Sequence, residues 1–244
     1  MSTQKIALSL TIIAAGLLAQ NARAQVVVTI EKPGVQHSSV PNITTETFDG
    51  FAPGVYTSLV SNIGTYSSPG EAIVSANQYG GAGGAGNYYS IGAQSGQLTS
   101  TLTLPANEAY FGFWYSAGDN QNAISLYENN TLVYNLDTQS LISFINTQPN
   151  SSSYYSNPNN GQDSGEPFAY VNFFGTHGTV FNKIVFTNAS LATGFESDNH
   201  SISPTQTRPT GTPITPEPGT FAMLVGMGIS GAAFLRRKRV SKPV

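Results

Sequence analysis

The sequence predicts an all-β fold: a single antiparallel β-sandwich domain, jelly-roll-like, built from about ten short strands. Three observations predict it. Charged residues make up 9% of the chain, Gly, Ser, Thr, Asn and Tyr abound, and helical periodicity is almost absent. Leu98, Ser100, Leu102 and Leu104 alternate with Thr99, Thr101 and Thr103, which is the two-residue period of a strand with one buried face. Tyr110 to Tyr115 read Tyr-Phe-Gly-Phe-Trp-Tyr, dense enough for a central strand covered on both faces.

The remaining elements follow in chain order. Strands are expected over residues 26–30, 73–75 and 88–91, ahead of the alternating and aromatic stretches. Residues 124–127 and 132–136 flank Glu128-Asn129-Asn130, whose composition suits a hairpin turn. Further strands are expected over 141–145, 168–174, 181–186 and 194–202. The Gly- and Ala-rich residues 80–86 and the polar residues 148–165 are expected to be loops, the second a mobile insertion. Trp114 is expected in the core, with Gly112 two residues before it leaving room for the indole.

The two ends differ in character from this middle. Lys5 precedes an apolar stretch over residues 6–19, and Ala22-Arg23-Ala24 supplies the small residues that a signal peptidase reads. Residues 1–24 are therefore expected to be a signal peptide cleaved after Ala24. At the far end, Pro216, Glu217 and Pro218 precede an apolar run over residues 221–235. Arg236, Arg237, Lys238 and Arg239 close it. Such a run with a basic flank is expected to be a short transmembrane helix, its basic cluster on the cytoplasmic side. The organisation is thus a signal peptide (1–24), a β ectodomain (25–205), a Thr- and Pro-rich extended spacer (206–215) and a C-terminal signal (216–244).

Charge and composition exclude several functions. Residues 25–215 hold three basic side chains, Lys32, Lys183 and Arg208, against twelve acids, a net charge of −9. That surface repels nucleic acid and attracts divalent cations, so no nucleic-acid partner is expected. The absence of cysteine excludes thiol catalysis and Cys-ligated metals.

The C-terminal order of Pro216, Glu217 and Pro218, apolar span and basic cluster resembles the PEP-CTERM sorting signal of Gram-negative bacteria. The resemblance covers about the last 29 residues and implies recognition by an exosortase, a membrane peptidase. The middle of the chain is similar to a group of exosortase-dependent surface proteins of cyanobacteria and related bacteria. The residues that carry this are Phe111 to Tyr115, Asp119, Asn122, 124–127, Tyr170 to Phe173, and Phe195, Glu196, Asp198 and Asn199. The resemblance implies signal peptidase and exosortase as partners, a transient inner-membrane intermediate, and the cell envelope, surface or extracellular matrix as destination. It implies no catalytic residues.

Several chemistries were weighed on the residues. Gly81, Gly83 and Gly86 match a dinucleotide fingerprint, but Asn87-Tyr88-Tyr89 follows where a helix is required. Asp163-Ser164-Gly165 resembles a serine-protease nucleophile segment, yet Glu166 would oppose a developing oxyanion. His37, His177 and His200 have no metal-binding spacing and suit surface positions. Calcium is the best-motivated ligand: Glu46 and Asp49 lie early, Glu196 and Asp198 late, and pairing of those segments would bring four carboxylates together. For a surface polysaccharide, Tyr154 and Tyr155 are the candidate stacking rings. The expected function is a non-enzymatic structural or binding role, glycan-binding and calcium-stabilised. The alternative is a secreted glycan-active enzyme, marked by two carboxylates facing across a pocket.

Overall fold

A computed structural model describes residues 25–214. The cleavage site at Ala22 and Ala24, the motif at Pro216 to Pro218, the apolar run and the basic cluster lie outside the described residues. Among the described residues no helix is long and apolar enough to cross a membrane.

The chain is mostly antiparallel β-sheet. In order it forms β1 (Gln25–Ile30), β2 (Thr44–Glu46), β3 (Gly54–Ser61), β4 (Gly64–Ser75), β5 (Asn87–Gly92), β6 (Thr99–Glu108) and β7 (Tyr110–Ser116). There follow β8 (Asn122–Glu128), β9 (Thr131–Asp137), the helix α1 (Thr138–Asn146), β10 (Ala169–Thr176), β11 (Phe181–Asn188), β12 (Gly194–Ser203) and β13 (Thr212–Pro213). All these strands join one sheet in the order β13-β1-β10-β7-β12-β5-β4-β6-β11-β8-β9, with β2 on β12 and β3 on β4.

β4 links the two halves of that order. Its start pairs with β6 (Tyr66↔Leu102) and its end with β5 (Ile73↔Tyr89). Gly70 lies between the two pairings at φ 146°, and a Cβ there would stand 2.7 Å from the Tyr56 carbonyl oxygen, so the passage needs glycine. Aromatic rings then meet between strands that are not sheet neighbours. Phe186 on β11 reaches Phe111 on β7 (6.2 Å between ring centres) and Phe195 on β12 (5.7 Å). Tyr134 on β9 meets Phe173 on β10 at 6.0 Å. The sheet is folded over a shared apolar core.

Most expected strands form, and the hairpin turn falls on Asn129-Asn130, with Glu128 opposite Thr131. One element differs in kind. Residues 141–145, expected as a strand, lie in α1. Asp137 caps that helix by accepting from the Ser140 amide at 2.9 Å, and Leu141 and Ile145 bury one face at a four-residue spacing. The five-residue apolar stretch fits both periods, and the cap decides.

Strands β2, β3 and the first half of β4 were not expected, because their residues are polar or exposed. Val55 and Val60 on β3 are 60% and 74% exposed. The segment expected as an extended spacer returns to the sheet: β13 pairs with β1 and the Ile214 amide donates to the Val28 carbonyl at 2.8 Å. The polar insertion 148–165 is tied to the rest of the domain by hydrogen bonds. Tyr154 is buried and donates to the Glu31 carbonyl at 2.8 Å, and Asn157 Nδ2 donates to the Asn77 and Gln78 carbonyls.

Candidate functional site

β12 positions the site by its alternation. One face carries Phe195 and Ser197 into the core, and the other carries Glu196 and Asp198. The register then shifts between Asp198 and Ser201, with Asn199 at φ 50°, so His200 also turns to the core. His200 is fully buried, stacks on Phe186 at 5.2 Å, and lies 2.8 Å from the Tyr66 hydroxyl and 2.9 Å from Ser197 Oγ. Burial pushes its imidazole down to about 3, so it is a neutral core residue and not a surface one. His37 and His177 are exposed.

The Glu196 face is roofed by loops. Asp198 Oδ2 accepts from the Ala82 amide at 2.7 Å, which draws the glycine-rich loop over the strand. Asn159 Nδ2 donates to the Gly81 carbonyl at 3.0 Å, and the Gly118 amide to the Pro167 carbonyl at 3.0 Å, tying the polar insertion over both. Trp114 lies beneath this roof against Phe168, 1% exposed. It is buried as expected, but the gap at Gly112 belongs to other rings: a Cβ there would meet the Tyr110 hydroxyl and Tyr170.

At the edge of the roof a cavity of about 270 Å³ opens. Asp119, Glu166 and Glu196 line it, with Gln94, Thr193 and the ring of Tyr79. Glu196 is 4% exposed. Its only side-chain hydrogen bond among the described residues is a long one, from Ser90 Oγ to Oε1 at 3.4 Å. Burial raises its carboxyl to about 8, with Glu166, Asp119 and Asp163 adding to the shift. Glu166 is raised likewise, by burial first and then by Asp163 and Asp119. Burial also raises Asp119, whose Oδ1 accepts from the Gln121 amide at 2.7 Å. Burial and mutual repulsion thus favour the protonated forms of these acids, and among the described residues no Lys or Arg lines the pocket.

The residues expected to bind calcium are split. β2 does pair with β12, placing Glu46 opposite His200. Asp198 is raised to about 7, by burial first, with Asp49 and Glu46 contributing. Each of those three, however, holds backbone amides: Glu46 Oε1 accepts from Phe48, Asp49 Oδ1 from Asn87, and Asp198 from Ala82 and Asn199. Glu196 faces the other acids. Among the described residues no group of three Asp, Glu or His side chains is arranged to hold a metal ion. Tyr154 presents no free ring face, and Tyr155 is half-buried, donating to Asn146 Oδ1 at 2.7 Å.

Asp119, Glu166 and Tyr79 were not read as site residues from the sequence. The residues themselves gave little signal: Asp119 stood in a family-like stretch, Glu166 counted only against protease chemistry, and Tyr79 is one of twelve tyrosines. Compared with known proteins, the chain matches no protein-family model, no curated protein and no solved structure.

Proposed function

We propose that this chain is an exported, exosortase-sorted protein of the cell envelope or extracellular matrix, whose β domain binds a glycan without transforming it. The signal-like start and the Pro216-Glu217-Pro218 end support export and sorting. The domain is a sandwich of jelly-roll type, a reading supported by the meeting of β1 with β9 from opposite ends of the strand order.

The observation that carries the binding role is the roofed cavity at Glu196. It is concave, and it combines an aromatic ring, a side-chain amide, a hydroxyl and carboxyls, the groups that grip a small hydroxylated unit. Its volume, about 270 Å³, sits just below the range of about 300–1,000 Å³ usual for ligand pockets, so one small unit is the occupant.

A second reading, a glycan-active enzyme, is favoured by one observation. Asp119 shares the cavity with Glu166 and Glu196, and hydrolysis of a glycosidic bond uses two carboxyls in different protonation states. One experiment separates the two readings. The full-length sequence is expressed, the protein is recovered from envelope material, its mature termini are read by mass spectrometry, and it is incubated with surface polysaccharide. The proposal expects both sequence ends to be missing and the polysaccharide to be retained with no new reducing ends. New reducing ends that vanish in Glu196→Gln would establish the enzyme instead, and retention of Arg236 to Lys242 would remove exosortase processing.

A further inference from the structure

We infer that the Glu196 cavity takes a compact organic ammonium, of the size of one amino-sugar unit, with its positive charge at the carboxyl of Glu196 and with Glu166 and Asp119 in the same lining. This rests on the glycan-binding reading and names the chemical class of the unit bound.

Glu196 stands in the cavity wall. It is a buried carboxyl that faces open space, receives one long hydrogen bond, and has an oxygen that accepts none among the described residues. A buried polar group left in that state costs free energy, and a bound partner recovers it. Gly194 shapes the position: a Cβ at residue 194 would overlap the Glu196 carboxyl, so the glycine gives that carboxyl its seat at the cavity wall.

The sign of the missing partner follows from what surrounds it. The charged groups facing Glu196 are Glu166, Asp119 and Asp163, all acidic. The neighbouring titratable rings, Tyr88 and Tyr115, are held neutral by burial. Lys183, the basic residue of β11, lies over the Tyr127 ring at 4.5 Å, away from this cavity's lining. Among the described residues no basic side chain lines the cavity, so a bound cation would offset the repulsion between these acids. The domain's charge of −9 favours approach of one.

Size decides between cations. Among the described residues no three carboxylates are arranged to close on a metal ion, and a bare ion would leave most of the cavity unfilled. An ammonium on a hydroxylated ring donates to the carboxyls, offers hydroxyls to Gln94 and Thr193, and sets a ring face or its charge against Tyr79. Tyr79 is 36% exposed at the mouth, where a longer chain of such units could continue outward.

The test is calorimetric titration of the full chain with glucosamine, N-acetylglucosamine, glucose and calcium chloride at pH 5.5 and pH 7, where the amino group of glucosamine stays charged. Glucosamine should bind about tenfold or more tightly than the two uncharged sugars, the difference expected of one charge-assisted contact set. Binding should strengthen from pH 5.5 to pH 7 and release protons from the carboxyls, seen as heats that change with the buffer's ionisation enthalpy. Glu196→Gln and, as a second variant at a half-buried position, Glu166→Gln should each weaken glucosamine at least about tenfold and weaken the uncharged sugars by a smaller factor, so that the preference for glucosamine falls. Equal affinity for all three sugars, lost in either variant, would overturn the ammonium while leaving glycan binding intact. Failure of every sugar would remove both. Calcium binding that is lost in Glu196→Gln, with no glucosamine binding, would make the cavity a metal site and overturn the inference.

Discussion

Gly194 lies directly beneath the carboxyl of Glu196, so close that a methyl group added at residue 194 would occupy the space of Glu196 Oε1. The two residues are two apart on β12 and share its outer face. Gly194→Ala should therefore push the flexible Glu196 carboxyl toward the open cavity and destabilise the domain by about 1 kcal/mol, the low end of the cost of overpacking. In a Glu196→Ala background the same substitution should cost much less, because the obstructing carboxyl is gone. Chemical denaturation of the four proteins in that cycle measures the coupling; equal costs in both backgrounds would mean the strain lies elsewhere.

Stability should be greatest in mild acid and fall through neutral pH. Glu71 is fully buried, held by Ser100 Oγ at 2.9 Å, and burial raises it to about 7. Asp198 is raised to about 7 and Glu196 to about 8, burial being the first cause in both. Each folded carboxyl keeps its proton at pH values where the unfolded one has lost it. Stability from these groups is full below the unfolded carboxylate range and is lost as pH rises to about 8. His200 acts oppositely: folded it stays neutral down to about 3, so stability falls as pH drops below the unfolded histidine range of about 6.5. Three carboxyls outweigh one imidazole between about 4.5 and 6.5. Melting temperatures across pH 4–9 should decline toward the alkaline end, and Glu71→Gln should flatten part of that decline. A maximum near pH 8 would contradict this account.

Trp114→Ala should nearly unfold the domain. The indole is 1% exposed and packs on Phe168 and Tyr170 under the loop roof. Removing a buried Trp costs about 3–5 kcal/mol. Its emission in the intact protein should be blue-shifted and poorly quenched by acrylamide; ready quenching would place the indole in water.

Asp198→Ala should loosen the glycine-rich loop more than it weakens the domain. The carboxylate holds the Ala82 amide at 2.7 Å from across the strand face. Hydrogen exchange at residues 80–86 should speed up severalfold while exchange in β7 stays slow. Uniform acceleration would mean the aspartate supports the sheet and not the loop.

Two core strands and one hairpin are legible in the sequence. The alternation from Leu98 to Leu104 and the aromatic run from Tyr110 to Tyr115 state a local period that any strand pairing must respect, and β6 and β7 form there. Asn129-Asn130 mark a hairpin for the same reason, since a turn's chemistry is local. The polar or exposed strands β2 and β3 carry no such period, and residues 141–145 read as a strand because five residues satisfy both periods while the cap that favours the helix, Asp137, lies outside them.

The site was decided by tertiary structure alone. Asp119 and Glu166 are 47 positions apart, and Glu196 a further 30 along the chain, in segments whose local patterns say nothing of one another. Only the pairing of β7 with β12, and the tie from Gly118 to Pro167, brings them to one wall. The same holds for Tyr154 and His200, whose types suggested the surface and whose burial followed from which loop crossed which face. A residue's chemistry is written in the sequence. Whether that chemistry meets water, the core or another carboxyl depends on long-range pairing, which short-range periodicity does not encode.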